Sequence, residues 1–194
     1  MAVTPQESES IRSRFERFRR EGAERLFVCP VTSPYHAHGL CFCDAPFWRA
    51  LGFYLKAGLM GWLIRLPFNR PKLWILRGRG AKIGKNVHIA VDVWIDPLFP
   101  DLLTIEDDVT VGVGAKIALH EFTVSQFRAG RVMIGKGAVI GGFSLIGCGV
   151  EIGAQATVAG GAVVGKDVPA GATALGNPAR IVRPAPADPE AKYG

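Results

Sequence analysis

Residues 134–169 read IGKGAV, IGGFSL, IGCGVE, IGAQAT, VAGGAV and VGKDVP, six units of six residues that each open with Ile or Val, five of them followed by glycine. A period of six fits neither the 3.6-residue stripe of a helix nor the two-residue alternation of a strand. The same phase returns upstream at Ile83, Ile89 and Ile95, and again at Ile105, Val111 and Ile117. The fifth residue of these units is small or aliphatic as well: Val87, Val93, Val109, Ala115, Ala138, Ser144, Val150, Ala156, Ala162 and Val168. Twelve such units make four turns of three.

This pattern predicts a parallel β-solenoid whose coil repeats a short flat strand and a corner three times, with first and fifth residues turned into a shared core. Coils stacked about 4.8 Å apart would align the aliphatic first positions as inward ladders. Glycine at the second position suits a corner where backbones approach closely. The fixed phase of Ile and Val argues against a disordered glycine-rich tract.

The repeats, together with the closing phrase VVGKDVPAGATALGNPARIVRP at residues 163–184, resemble the hexapeptide-repeat acyltransferase superfamily, most of all its maltose, galactoside and xenobiotic O-acetyltransferase branch. The likeness spans residues 76–184. It implies a mainly β fold, a left-handed parallel β-helix of about four coils, assembled as a homotrimer. It also implies acetyl-CoA or another acyl-CoA as co-substrate, with no metal required.

The beat is interrupted twice. Ile95 to Ile105 is ten residues rather than six, an insertion at residues 97–101, and Ile117 to Ile134 is seventeen, a longer insertion containing HEFTVSQFRAGR. Long loops on a rigid scaffold are where sites are built. His120 stands at the root of the longer insertion, and Glu121 occupies what would be an inward fifth position, where an unpaired carboxylate is excluded. The coil must therefore leave its regular path there, which makes His120 an exposed, loop-anchored imidazole. In the resembled family a histidine before an extended loop is the general base, so the resemblance assigns His120 that role; the adjacent Glu121 is the candidate for orienting the imidazole. Cys148 has no base near it in sequence and is not expected to be a nucleophile.

The same resemblance places an acyl-CoA against Gly142, Gly160, Gly165, Lys166, Arg180 and Arg183, the glycines admitting the pantetheine chain and the cations neutralising phosphate. Gly142 and Gly165 stand where relatives often carry Ser or Thr. His88, Asp92 and Trp94, with Asp96, are candidates for the acceptor pocket, against an ordinary surface role for each. The function implied is an acyl-CoA-dependent O-acyltransferase acting on a hydroxyl of a sugar or glycan precursor, as in polysaccharide biosynthesis. An amino-sugar N-acyltransferase and a non-catalytic trimeric scaffold are the alternatives. The metal-dependent γ-type carbonic anhydrases share the fold but need three histidines per site, and only His88 and His120 fall in the coils.

The remaining chain divides into an N-terminal helical cap region, residues 1–75, and a flexible tail, residues 185–194, around the acyltransferase domain at 76–184. Residues 7–26 alternate Glu and Arg around Ile11, Phe15, Phe18 and Leu26 on one side of a helix. Five acids there nearly balance six bases, which argues against nucleic acid as a partner. Cys29, His36, His38, Cys41 and Cys43 fall within fifteen residues, yet their spacing matches no standard zinc site, and a proline-bounded loop is the simpler reading.

Residues 46–68 are apolar and rich in aromatics, and their longest uncharged run, residues 57–64, is too short to span a bilayer. Between Asp44 and Asp92 there is no acidic residue, against nine basic ones. Such a segment is expected to cap the open end of the solenoid, and its composition also suits contact with anionic lipid; the two are compatible. With no apolar secretory segment among the first twenty-five residues, the expected place is the cytoplasm or the inner face of its membrane, and a lipid-linked acceptor fits that setting.

Overall fold

The computed structural model describes residues 5–30 and 47–182. It opens with helix α1 (Pro5–Glu21), strand β1 (Leu26–Pro30) and helices α2 (Phe47–Arg65) and α3 (Asn69–Gly78). Short strands then follow in threes: β2 (Lys82–Ile83), β3 (His88–Ile89) and β4 (Trp94–Ile95), then β5 (Leu103–Ile105), β6 (Thr110–Val111) and β7 (Lys116–Ile117). A hairpin, β8 (His120–Phe122) and β9 (Gln126–Gly130), interrupts them. The threes resume with β10 (Val132–Ile134), β11 (Val139–Ile140) and β12 (Leu145–Ile146), then β13 (Glu151–Ile152), β14 (Thr157–Val158) and β15 (Val163–Val164). Strands β16 (Thr173–Leu175) and β17 (Arg180–Val182) close the described chain.

Every third strand pairs in parallel, so the chain steps round three faces and returns to the first. The orders are β13-β10-β5-β2 on the first face, β17-β16-β14-β11-β6-β3 on the second and β15-β12-β7-β4 on the third. The register is set by the beat. Ile83, Ile105, Ile134 and Ile152 stack on the first face. Ile89, Val111, Ile140 and Val158 stack on the second, and Ile95, Ile117, Ile146 and Val164 on the third. All but Ile83 are buried, as are the ten fifth positions from Val87 to Val168. Ser144 is tolerated among them because its hydroxyl donates to the Gly141 carbonyl at 2.7 Å.

Beyond Val168, which bridges to Ile152, the chain adds β16 to the second face and folds β17 back on it antiparallel. The six-residue spacing had already ended, so periodicity gave no sign of this extension.

The other end of the stack is covered by α3. Asn69 donates to the Val87 carbonyl and accepts from the Ile89 N–H, both at 2.9 Å. The Lys72 ammonium, fully buried, donates to the carbonyls of Ile89 (3.1 Å) and Ala90 (2.5 Å), and Arg77 donates to those of Ile83 and Gly84. These side chains satisfy edge groups that another coil would otherwise pair. Burial pushes the Lys72 pKa down. Helix α2 lies within residues 46–68, the segment expected to cap the open end, but the side chains that satisfy the edge groups belong to the following helix α3.

Two expectations are corrected at the N-terminus. The helix stops at Glu21, followed by Gly22 at φ +67°, a left-handed residue that ends helices readily, and Leu26 begins β1 instead of completing the helical stripe. Phe15 and Phe18 are buried as predicted from that stripe; the side chain of Ile11 lies outside the described residues. The longer insertion is a hairpin, not a loop, and β1 joins β9 antiparallel, Phe27 opposite Ala129 and Cys29 opposite Phe127, to make a three-stranded sheet. Alternate residues are buried in both strands: Phe27 and Cys29, then Phe127 and Ala129. Cys29 is a strand residue whose Sγ donates to the Pro30 carbonyl, and burial raises its pKa. His36, His38, Cys41 and Cys43 lie outside the described residues, as do Arg183 and the 185–194 tail. Among the described residues no group of three or more His, Cys, Asp or Glu is placed to hold a metal.

The contact between hairpin and coil tolerates no side chain at Gly130. A Cβ there would stand 2.8 Å from the main-chain carbonyl carbon of Cys148, whereas one at Gly165 would meet nothing within 4 Å. Gly130→Ala should lower the melting temperature by about 5 °C or more, because backbone cannot move aside, while Gly165→Ala leaves it nearly unchanged. Thermal unfolding of the two variants beside the parent checks this.

Candidate active site

His120 opens β8 directly after the third-face strand β7, with Leu119 fully buried beneath it. The hairpin pairs His120 with Ala129, Glu121 with Arg128 and Phe122 with Phe127, and its turn is closed by Thr123, whose backbone N–H donates to the Gln126 carbonyl at 2.8 Å. Against the expected exposed, loop-anchored imidazole, His120 stands on a strand and its side chain is only 15% exposed. Its Nδ1 meets Oδ2 of Asp96, a residue wholly removed from solvent. Asp96 also accepts the N–H of Leu98 at 2.9 Å and that of Leu119 at 3.3 Å. A buried carboxylate is tolerable because donors surround it. A neutral imidazole that donates from Nδ1 to this carboxylate has its lone pair on Nε2.

Three rings hold the imidazole. Phe99 meets it edge-on with centroids 5.3 Å apart, Phe122 does the same at 5.3 Å, and Phe127 lies at 6.2 Å. Phe99 is itself backed by Phe15 of α1 at 5.2 Å and covered by the Arg19 guanidinium, 5.5 Å from its centroid. Arg19 is tied to Asp101 by two hydrogen bonds of 2.9 Å. The two interruptions of the beat therefore meet here, one bringing Phe99 and Asp101, the other His120, Phe122 and Phe127.

Glu121 is placed differently from expectation. Successive strand residues point to opposite sides, and the Glu121 carboxylate pairs with Arg128 across the hairpin at 2.5 Å, with a side chain 40% exposed. The partner of His120 is Asp96, not a surface residue but the most deeply buried acid described. Its sequence signal was available: Asp96 fills the second position of a unit, where the strands stacked on it carry Ala118, Gly147 and Gly165.

The remaining candidates separate. His88 lies exposed on the second face, level with Thr110. Asp92 sits at a corner at φ +59° and is paired with Arg65 at 2.7 Å. Trp94 is on the third face beside Lys116, in β4, whose last residue Ile95 directly precedes the His120 partner Asp96. Gly142 and Gly160 stack at the corner between second and third faces, where the Gly161 N–H donates to the Gly142 carbonyl at 2.9 Å. Gly165 borders the third face on its other side, so the three glycines frame one face whose outward residues include Lys116, Leu145 and Val163. Lys166 is exposed next to Gly165; Arg180 is exposed on β17, opposite Leu175.

No protein-family model matches the chain. It is 38% identical over 117 residues to the "Putative acetyltransferase YvoF" of Bacillus subtilis (strain 168), covering 60% of this chain and 68% of that protein. The chain belongs to the hexapeptide-repeat acetyltransferases. Its fold is that of the hexapeptide-repeat acetyltransferase of Vibrio cholerae O1 biovar eltor complexed with acetyl coenzyme A (TM-score 0.57, 23% identity, 70% of this chain and 88% of that one). It is also that of a galactoside acetyltransferase in complex with coenzyme A (TM-score 0.51, 19% identity, 69% and 80%).

In this acetyltransferase Cys148 lies near the site without the character of a nucleophile. Burial, and then the negative charge of Glu121, push its thiol up to about 11. The protonated thiol is a poor nucleophile. Iodoacetamide at pH 8 should leave Cys148 unmodified in the folded protein and label it after unfolding, read by peptide mass mapping. As pH climbs from about 9 to 11 the unfolded thiol ionises first, so this group subtracts stability in that window.

Proposed function

We propose that the protein transfers an acetyl group from acetyl-CoA to a hydroxyl of a sugar or glycan precursor, with His120 as general base. The observation that carries this reading is the Asp96–His120 pair, which fixes the imidazole tautomer and leaves Nε2 as the acceptor. Nε2 takes the proton of the acceptor hydroxyl while its oxygen attacks the thioester carbonyl. The tetrahedral oxyanion collapses, the carbon–sulfur bond breaks, and the imidazolium returns its proton to the departing thiolate, giving the acetyl ester and free coenzyme A. No covalent acyl-enzyme is needed. Asp96 is a positioning residue that also steadies the transient imidazolium, as the carboxylate of a catalytic triad does.

The third face, framed by Gly142, Gly160 and Gly165, is the proposed track for the pantetheine chain, with Lys166, Arg180 and Arg183 toward the phosphates. The left-handed coil, the homotrimer and the cytoplasmic setting, where acetyl-CoA is made and used, belong to this proposal. So does the division of the chain into a cap at residues 1–75, a transfer domain at 76–184 and a tail. Phe15, Phe18 and Phe27 share one continuous core with the coils, so the first of these serves as a wall of the second.

Thiol release from acetyl-CoA, measured with panels of hydroxyl and amine acceptors, tests the reading. His120→Ala should lower kcat on the order of 10²- to 10⁴-fold, and Asp96→Asn on the order of a hundredfold or more with the fold retained. Glu121→Gln should stay within about twofold, since it breaks only an exposed ion pair. Undiminished turnover in His120→Ala would sink the mechanism, and turnover confined to amines would reassign the acceptor.

A further inference from the structure

Helix α2 is apolar nearly all round, yet among the described residues only one side of it is buried. Ala57, Met60 and Ile64 are buried. On the opposite side Leu51, Leu55, Leu59 and Trp62 recur at spacings of four, four and three residues, which keeps them on one helical face. Leu55, Leu59 and Trp62 are 63%, 59% and 61% exposed. Trp48 one turn earlier and Trp74 on α3 are exposed by 76% and 79%. A contiguous apolar stripe of this kind marks a surface that something covers.

The charge around the stripe says what kind of surface covers it. Between Asp44 and Asp92 the chain has nine basic residues and no acid, and of the nine Lys72 is buried, Arg65 pairs with Asp92 and Arg77 holds edge carbonyls of the coil. Lys56 and Arg70 stand exposed on α2 and α3. A second copy of the same face would bring like charge against like, whereas anionic headgroups complement it and the acyl boundary takes the leucines and tryptophans. No helix among the described residues is long and apolar enough to cross a membrane, so contact would be in the plane of the surface.

We propose that α2, with α3 beside it, docks the protein on an anionic lipid bilayer, the stripe entering the headgroup boundary and the flanking cations holding the lipid charge. The proposal stands independently of the acyl-transfer reading, because its readout is binding and not turnover.

The full-length protein is mixed with vesicles of phosphatidylcholine, alone or with phosphatidylglycerol, and binding is read by flotation. Three of the four tryptophans lie on these two helices, so their emission should shift to the blue on binding. Partition into the anionic vesicles should exceed that into the neutral ones by about tenfold or more and weaken as salt is raised. Leu55→Gln, Leu59→Gln and Trp62→Gln combined should reduce it on the order of a hundredfold with the melting temperature unchanged. Lys56→Glu with Arg70→Glu, which leaves the stripe intact, should abolish the preference for anionic lipid. Equal partition into both vesicle types, no partition, or a stripe-dependent oligomer that ignores vesicles would overturn the proposal.

Discussion

Each level of the coil finds its backbone hydrogen bonds in the levels above and below it. The N–H of Gly84 donates to Ile105, that of Glu106 to Ile134 and that of Gly135 to Ile152, at 2.8, 2.9 and 2.7 Å. Nothing can be inserted within such a stack without leaving buried groups unpaired, so extra residues must depart at a corner and return to it. Both interruptions do so from the third face, one after β4 and the other after β7. Those strands are neighbours in one sheet, and the Asp96 N–H donates to the Ile117 carbonyl at 3.1 Å. The two excursions therefore start about 4.8 Å apart. The meeting of Asp96 with His120, separated by twenty-four residues of chain, is a consequence of that stacking.

What the coil supplies is position; what surrounds the imidazole comes from elsewhere. Phe99 sits in the first excursion, Phe122 and Phe127 in the hairpin, and Phe15 on α1 presses against both Phe99 and Phe127. The hairpin alone would be a marginal two-stranded element. Pairing with β1 makes it a third strand in a small sheet and buries Phe27 against Phe15 at 5.2 Å. Arg131, on the return to the coil, donates to the carbonyls of Phe18 and Glu24 and lies over the Phe18 ring, which fixes α1 to the same corner. The N-terminal segment is thus built into the wall of the site.

The coil was legible because its signal is local and repeated: twelve first positions at fixed phase dictate both the core and the register. His120 was legible because it stands where the repeat fails. Asp96 was not, since its identity as partner depends on two excursions emerging at one height, which no single stretch of sequence records. Its presence at a second position of the third face, where the other coils carry Ala118, Gly147 and Gly165, was the trace left in the chain. The hairpin was read as a loop because its alternation, Phe127 and Ala129 inward, runs for only one strand, and because its partner β1 lies nearly a hundred residues earlier. Glu121 was misassigned by adjacency, which on a strand separates side chains instead of joining them.

The apolar helix lies directly against the first coil, close to the site. Gly61 of α2 faces Pro97, the residue after Asp96, and a Cβ at Gly61 would stand 3.8 Å from the proline ring. The main-chain carbonyl of Arg65, at the end of the same helix, accepts the N–H of Asp92 at 2.9 Å, two residues before Trp94. Helix α2 therefore rests on the strand and corner that carry Trp94 and Asp96, with its buried face toward them and its leucines turned away. A surface engaged by those leucines lies on the far side of the helix from Asp96, so the depth of one helix, about 10 Å, separates it from the first excursion.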